Sequence, residues 1–378
     1  MKISAVDTFA LKFDLEQPFM SGRGNWYRTR SALVVRVRTD AGLEGWGEAY
    51  GPVEVNRAVI EKLLAPAVSG CDPFAFGACW ERLFARYRDY DPQGSLIASL
   101  GAIDIACWDL MGKAVQRPVF ELLGGARRTR VMPYATGLYF KSEDGDHTAD
   151  AVAEALHYRE LGFRAIKVKV ALPVREEMRR INAIREAVGG EMELMADANH
   201  AYDFANAIRL GREMERLGFV WFEEPVLPDD LGGYEELCRS LDIAIAGGEN
   251  LYGARAYANV LARRALDVVQ PDLTAMGGIS EARKVISLCE LAGARVVPHI
   301  WGTGIGTFAA LQVMAAIPDQ PPTWKPEPLW MEYEQTDNPF RTELLREKIE
   351  LRDGWVSIPS GPGLGFSVDE SALSRYAA

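Results

Sequence analysis

The sequence predicts an α/β protein, a (β/α)7–8 TIM-like barrel carrying an α+β capping domain. Three observations predict it. From about residue 131, eight short β-like runs alternate with amphipathic segments, each long enough for one helix. Ahead of them, strand-like runs precede helical patterns, the order of a small α+β unit. The length of 378 residues also suits two domains at roughly 150 residues each, one of them large.

The elements follow in chain order. The N-terminus alternates like a strand, and Leu33–Arg38 and Gly45–Ala49 flank an Asp40-Ala41-Gly42 turn, a hairpin signal. Helical patterns cover about 53–69, about 74–90 after Asp72-Pro73, and 95–115, where Leu96, Leu100, Ile103, Trp108 and Met111 recur at helical spacing. Pro118 and Leu123-Gly124-Gly125 end this unit. The eight runs are Val131–Thr136, Ala165–Val170, Glu193–Ala196, Phe219–Phe222, Ile243–Gly247, Asp267–Val269, Arg295–Val297 and Leu329–Tyr333. After Glu334 the chain turns polar and rich in Pro and Gly, and it is expected to return to the N-terminal unit. The expected division is a capping domain of 1–125 completed by 336–378, and a barrel of 126–335.

Composition narrows the partners. The 42 Lys and Arg stand against 53 Asp and Glu, a net charge of −11, which argues against a nucleic-acid backbone while leaving room for a local basic pocket. No long apolar run or signal peptide is apparent, so neither membrane nor export is expected and the protein is read as cytoplasmic. Five cysteines form no C-x-x-C pair and are read as reduced packing residues.

Barrel chemistry sits where strands end at the C-terminal face. The residues found there are Lys169, Asp197, Glu223, Glu249, Asp272 and His299, successively 23 to 28 residues apart, about one strand plus one helix each time. Asp197, Glu223 and Glu249 converging on one mouth would repel one another unless a cation joins them. Mg²⁺, an oxygen-seeking ion that keeps positions open for substrate, suits a catalytic site. In Ile166-Lys167-Val168-Lys169-Val170 the two lysines share one strand face, and each ammonium is expected to lower the pKa of the other, as a lysine base requires. Asp272 and His299, from adjacent strands, read as a dyad in which the carboxylate orients the imidazole. A metal holding a small-molecule carboxylate, with a lysine and a histidine opposed, points to proton abstraction next to that carboxylate.

These residues resemble the enolase superfamily, mandelate racemase subgroup, over essentially the whole chain, a superfamily that uses Lys or His bases with Mg²⁺. The resemblance implies that Lys169 of Lys167-Val168-Lys169 is the base and Lys167 its support. It implies Asp197 of Asp197-Ala198-Asn199 as a ligand and Asn199 as a substrate hydrogen-bonding group. Trp221-Phe222-Glu223-Glu224-Pro225 supplies ligand Glu223 with Glu224 behind it, and Gly247-Gly248-Glu249-Asn250 supplies Glu249. Glu332 of Met331-Glu332-Tyr333 would hydrogen-bond the developing enediolate, and the family is commonly homo-oligomeric.

Tyr134–Gly137, Val297–Gly304 and Met331–Arg341 are similar to galactarolactone and 3,6-anhydrogalactonate cycloisomerases, which implies ring-opening β-elimination on a sugar-acid lactone or anhydro sugar acid. Acid-sugar dehydratase is the alternative, then racemase or epimerase; a non-catalytic acid-sugar binding protein is the reading from a different class. A glycosidase using Glu223 and Glu224 is disfavoured because adjacent strand residues face opposite ways. The family's covering loops implicate Phe19–Arg28 and Ala49–Gly51 in substrate choice: Arg23 or Arg28 for a distal carboxylate, Trp26 or Tyr27 for a sugar ring, and Tyr50. Gly302-Thr303-Gly304-Ile305-Gly306 is read as a turn at a helix N-terminus, not a dinucleotide fingerprint. Asp104 and Asp109 are read as structural.

Overall fold

The computed structural model describes residues 1–22, 24–91 and 93–378. Strands β1 (Ile3–Met20), β2 (Trp26–Thr39) and β3 (Glu44–Ala49) form an antiparallel meander in which Leu33 pairs with Ala49 and Val34 with Glu48. The helical pattern at 53–69 folds as Val53–Val59, a π turn at Ile60–Leu64, and Ala65–Val68. Helices Phe76–Tyr87 and Ser95–Val115 follow. The second lies on β3 so closely that a Cβ at Gly45 or Gly47 would stand 2.1 or 1.9 Å from the carbonyl oxygens of Ala106 and Ala102. Glycine is therefore the residue that lets the helix settle on the strand. Ser95–Val115 has the length and apolar character of a membrane span, contrary to the expectation that no such run exists. Burial between the meander and the barrel accounts for its composition.

The barrel comprises β4 (Arg130–Gly137), β5 (Ala165–Lys169), β6 (Glu193–Asp197), β7 (Phe219–Glu223), β8 (Ala244–Gly247), β9 (Val268–Val269), β10 (Arg295–Val296) and β11 (Trp330–Glu334). Neighbours from β4 to β10 pair in parallel, and β11 pairs with β4. Full-length helices follow the first seven strands, while only the single turn Pro339–Thr342 comes after β11. Among the described residues no ladder joins β10 to β11, and side chains hold the seam. Glu332 accepts the Ile300 N–H at 2.8 Å, and Asn338 donates Nδ2–H to the Gly302 carbonyl at 3.0 Å. Inward-facing Met132, Tyr134, Met195, Trp221, Val268 and Trp330 pack the floor, which leaves the other end open to polar groups.

The tail departs partly from expectation. Strands β12 (Leu351–Arg352) and β13 (Trp355–Ser357) form a hairpin, and β13 adds antiparallel to the start of β4, so this stretch joins the barrel sheet. Other parts of the tail reach the N-terminal elements: Thr336 accepts from Arg30, Gly363 and Leu364 meet Val119 and Asp109, Glu370 pairs with Arg36, and at the end Ala378 donates its N–H to Ala10 while Lys12 donates to Tyr376. The edge of β4 at Arg130–Val131 supplied free backbone groups, which the hairpin satisfies.

Three buried carboxylates tie the N-terminal elements to the rest. Asp104 accepts the Ser280 N–H at 2.9 Å and hydroxyl at 2.6 Å in the first turn of helix Gly278–Ala292. Asp109 accepts the N–H groups of Trp46 at 3.0 Å and Leu364 at 2.9 Å. Glu48 on β3 accepts the N–H groups of Thr303 and Gly306, at 2.9 and 3.0 Å, and caps helix Gly304–Ala316. The glycine-rich turn exists to admit it, since a Cβ at Gly302 would lie 2.2 Å from the Glu48 carboxylate. The position where a dinucleotide phosphate would bind is thus taken by this side chain. Glu48→Ala leaves buried N–H groups without acceptors and is expected to lower stability by about 2–4 kcal/mol. A shift of the urea midpoint smaller than that of a surface Glu→Ala control would contradict this.

Candidate active site

Most site residues lie at or just past a strand end, Lys167 and Glu332 two residues short of theirs, and the two-residue strand period decides which side chains enter the mouth. Lys167 and Lys169 on β5 point inward and are buried, while Ile166 and Val168 pack outward against the helices. Asp197 and Glu223 close β6 and β7. Glu249, Asp272 and His299 come two or three residues after β8, β9 and β10.

Carboxylate oxygens of Asp197, Glu223 and Glu249 all lie within 4.8 Å of one another. Burial pushes Glu223 up to about 7, with Asp197, Glu332 and Glu249 adding to what the nearby Lys167 relieves. Burial and the neighbouring Glu224 push Glu249 up to about 7 as well. The cluster therefore carries more negative charge than its protein surroundings accommodate, and an all-oxygen set at this spacing fits a hard divalent cation. Supporting groups aim the oxygens. Glu223 accepts from Trp221 Nε1 at 3.1 Å and Gln270 Nε2 at 2.7 Å, and Asp197 accepts the Asn199 N–H at 2.8 Å. Asn199 and Glu224, directly past the cluster strands, have φ of 42° and 43°, left-handed conformations that the tight strand-end turns impose.

Lys167 Nζ lies 2.8 Å from both Glu223 and Glu332, and Lys169 Nζ pairs with Asp197 and donates to Asn199 Oδ1 at 3.1 Å. This corrects the expectation that the lysines depress each other. Burial lowers both, but Glu223 and Glu332 around Lys167, and Asp197 beside Lys169, outweigh it and hold both ammonium groups above their ordinary range.

Opposite stands the dyad. His299 Nδ1 is 2.7 Å from Asp272 Oδ2, and Asp272 is itself fixed by the Thr274 N–H at 2.7 Å. Burial would lower the imidazole, but Glu249, Glu332 and Asp272 together push it up to about 10. Glu332 accepts from Thr136 Oγ1 at 2.8 Å as well as from Lys167 and Ile300. Burial raises it, yet Lys167 and His299 bring it well below the ordinary carboxylate range, so in this arrangement it is an anion that accepts.

Residues 5–124 match the mandelate racemase / muconate lactonizing enzyme N-terminal domain family, and residues 150–372 match the enolase C-terminal domain-like family. The chain belongs to the enolase superfamily. It is 41% identical over 377 residues to the D-galactarolactone cycloisomerase of Agrobacterium fabrum, covering 100% of this chain and 99% of that protein. The solved 3,6-anhydro-D-galactonate cycloisomerase of Zobellia galactanivorans superposes with a TM-score of 0.90 at 35% identity, over 100% of both chains. A mutant L-talarate/galactarate dehydratase liganded with Mg and L-glucarate superposes with a TM-score of 0.88 at 30% identity, over 100% of this chain and 92% of that one.

Within this enolase-superfamily site the covering residues are distributed unevenly. Tyr50 stands edge-on to His299, ring centres 6.3 Å apart. Arg28 is exposed and lies over the Trp26 ring at 6.0 Å. Arg23 lies outside the described residues. Tyr27, expected against a sugar ring, and further groups given no role in the sequence also pack near the mouth. The Tyr139 ring is 5.2 Å from Lys169 Nζ, and Trp301 donates Nε1–H to the Tyr139 hydroxyl at 2.9 Å. Tyr27 packs on Trp301 at 5.1 Å, and the Arg30 guanidinium stacks on the same indole at 4.0 Å. Trp221 and Gln270 carried a usable signal, each sitting two residues before a strand-end carboxylate and so facing the same way. Tyr139 and Arg30 carried none, because both come from segments whose approach to the mouth is set by tertiary packing.

Proposed function

We propose that the protein is a Mg²⁺-dependent cycloisomerase that opens the ring of a sugar-acid lactone or anhydro sugar acid. The reading rests on one observation above all: a lysine pair and an Asp–His dyad border the same three-carboxylate cluster. Likeness to two ring-opening cycloisomerases supports the reaction type. In this reading residues 126–335 are the catalytic barrel, and 1–125 with 336–378 cover it.

Asp197, Glu223 and Glu249 would hold the ion. When bound, it supplies positive charge that offsets the cluster and stabilises negative charge gathering on the substrate's carboxylate as the α-proton leaves. Lys167, paired with Glu223 and Glu332, keeps its proton, and Lys169 would act in its neutral form, which an ion on Asp197 would favour by offsetting the carboxylate charge that otherwise holds its proton. Neutral Lys169 Nζ then takes the α-proton, giving the enediolate. Electrons return to form the Cα–Cβ double bond as the bond from the β-carbon to the ring oxygen breaks, and His299 Nε2–H protonates that oxygen. Asp272 keeps Nδ1 protonated and the ring aimed. The enol tautomerises to a 2-keto-3-deoxy acid. Asn199 orients the substrate, and Glu332, which accepts from Thr136, Lys167 and Ile300, would hydrogen-bond the enediolate in its protonated form.

Incubation with Mg²⁺ and a panel of sugar lactones, anhydro sugar acids and open-chain acids in deuterated water tests this. A 2-keto-3-deoxy acid from a cyclic substrate, with solvent deuterium in the product, is expected. Product only from open-chain acids would identify a dehydratase, and no exchange with any acid would overturn the reading.

A further inference from the structure

Of the five cysteines, expected as reduced packing residues, Cys107 and Cys289 fit that role, each wholly buried. Cys71 and Cys79 differ, because the fold brings them together. Asp72 caps the Pro73–Ala75 turn by accepting the Phe74 N–H at 3.1 Å, and the chain then enters helix Phe76–Tyr87. This course sets Cys71, ahead of the turn, against Cys79 in the first turn of the helix, with the two Sγ atoms 2.9 Å apart. A disulfide is about 2.05 Å long, so bonding asks each sulfur to move by about half an ångström. The backbone of Cys71 is held in place, donating its N–H to the Val68 carbonyl at 3.0 Å and accepting the Ile3 N–H at 2.9 Å.

The two thiols are not equivalent. Cys79 is 4% exposed and belongs with Cys107 to the apolar core of the N-terminal unit, while Cys71 is partly exposed at its edge. Burial pushes the Cys79 thiol up, and Cys71 beside it adds to the rise, so Cys79 is the one that keeps its proton. The Arg82 guanidinium stands 3.6 Å from the Cys71 sulfur and 3.4 Å from that of Cys79. A cation beside a reachable sulfur, with a second thiol behind it, is the arrangement in which a thiolate forms, meets an oxidant and is then resolved. Cys238 supplies the contrast. It is also partly exposed, but burial and the Asp267 carboxylate push its thiol up.

We propose that Cys71 and Cys79 form a modification site, a dithiol that a small hydroperoxide converts reversibly to a disulfide, with Cys71 attacking the oxidant and Cys79 resolving the product. The Cys71 thiolate attacks one oxygen of hydrogen peroxide; an S–O bond forms, the O–O bond breaks, and the departing hydroxide takes up the proton that Cys71 released. Sulfur is oxidised by two electrons and the peroxide is reduced. The Cys79 sulfur then attacks Cys71 Sγ; the S–S bond forms, the S–O bond breaks, and the leaving hydroxide takes the Cys79 proton. Two thiols and one peroxide give one disulfide and two waters. The bond closes a short loop and ties the turn that holds Ile3 to helix Phe76–Tyr87.

Peroxide treatment of the full chain, reduced beforehand and freed of reductant, tests this when the protein is afterwards unfolded in iodoacetamide and digested with trypsin. Both cysteines fall in one tryptic peptide, residues 63–82. That peptide should be recovered unalkylated and lighter by about 2 Da, and dithiothreitol should restore two alkylatable thiols. Its oxidation should run at least about tenfold faster than that of Cys238. In Cys79→Ser, Cys71 should stop at the sulfenic acid, heavier by about 16 Da and trapped by dimedone, whereas Cys79 in Cys71→Ser should stay reduced. Oxidation of the pair no faster than that of Cys238, a bond from Cys79 to Cys107 instead, or a sulfenic acid on Cys79 rather than Cys71 would each overturn the proposal. The first two readouts come from the unaltered chain, so they decide the matter even where a variant fails to fold.

Discussion

Lys169→Met is expected to abolish both α-deuterium exchange and ring opening, by about 10²–10⁴-fold, in a protein that still folds. The change removes the nitrogen proposed to take the proton while keeping an unbranched chain of similar size. Lys167 cannot take over, because Glu223 and Glu332, each 2.8 Å away, hold its proton in place. His299→Asn should behave differently. If Lys169 removes the proton and His299 delivers one to the departing oxygen, the variant keeps exchange while product formation falls by a similar factor. The two signals are separable by mass spectrometry of recovered substrate and product. Exchange lost in His299→Asn but retained in Lys169→Met would reverse the assignments, and full activity in both would remove them.

Chelation gives the second large effect. Removing divalent metal should end turnover, and Mg²⁺ at about 100 times its Kd should stabilise the fold by about 2.7 kcal/mol. The size of that stabilisation depends on pH. Glu223 and Glu249 are raised in the folded, metal-free protein to about 7. Such groups contribute stability that is complete below their unfolded values near 4.5 and disappears as pH rises through about 7, where buried carboxylates ionise without a counter-charge. Metal requires those same ionised carboxylates, so its contribution grows over the same window. The gap in Tm between Mg²⁺-loaded and chelated protein should therefore be wider at pH 8 than at pH 6. A constant gap, or turnover surviving excess chelator, would contradict the three-carboxylate assignment.

What could be read beforehand followed the physics of local pattern. All eight barrel strands lie where short apolar runs marked them, because a strand covered on both faces leaves a compositional trace. The six strand-end residues were legible from spacing, since one helix and one strand consume a nearly constant length. The state of those residues was not. Mutual depression of Lys167 and Lys169 was a sound argument for two isolated ammonium groups, but the three-dimensional count of neighbours places more carboxylates than lysines around them. Likewise the tail hairpin at Leu351–Ser357 answers the free edge of β4, which no local sequence property announces. Trp301 sat in plain view two residues after His299, yet its partners Tyr139 and Arg30 lie 162 and 271 positions away in the chain, beyond any periodicity.

The buried carboxylates of Glu48, Asp104 and Asp109 bear on how this scaffold can be recombined. Each is donated by the N-terminal elements, and each satisfies backbone N–H groups on a segment hundreds of positions away or on the neighbouring strand. Because substrate choice is expected in the covering loops, transplanting an entire N-terminal unit from a relative is an attractive route to new specificity. A donor lacking any of the three would leave the first turns of Gly278–Ala292 and Gly304–Ala316, or the turn at Leu364, uncapped in the host. Chimeras should thus succeed when the exchange carries those acids along, or when only the tips of the loops are exchanged and the acids stay in place.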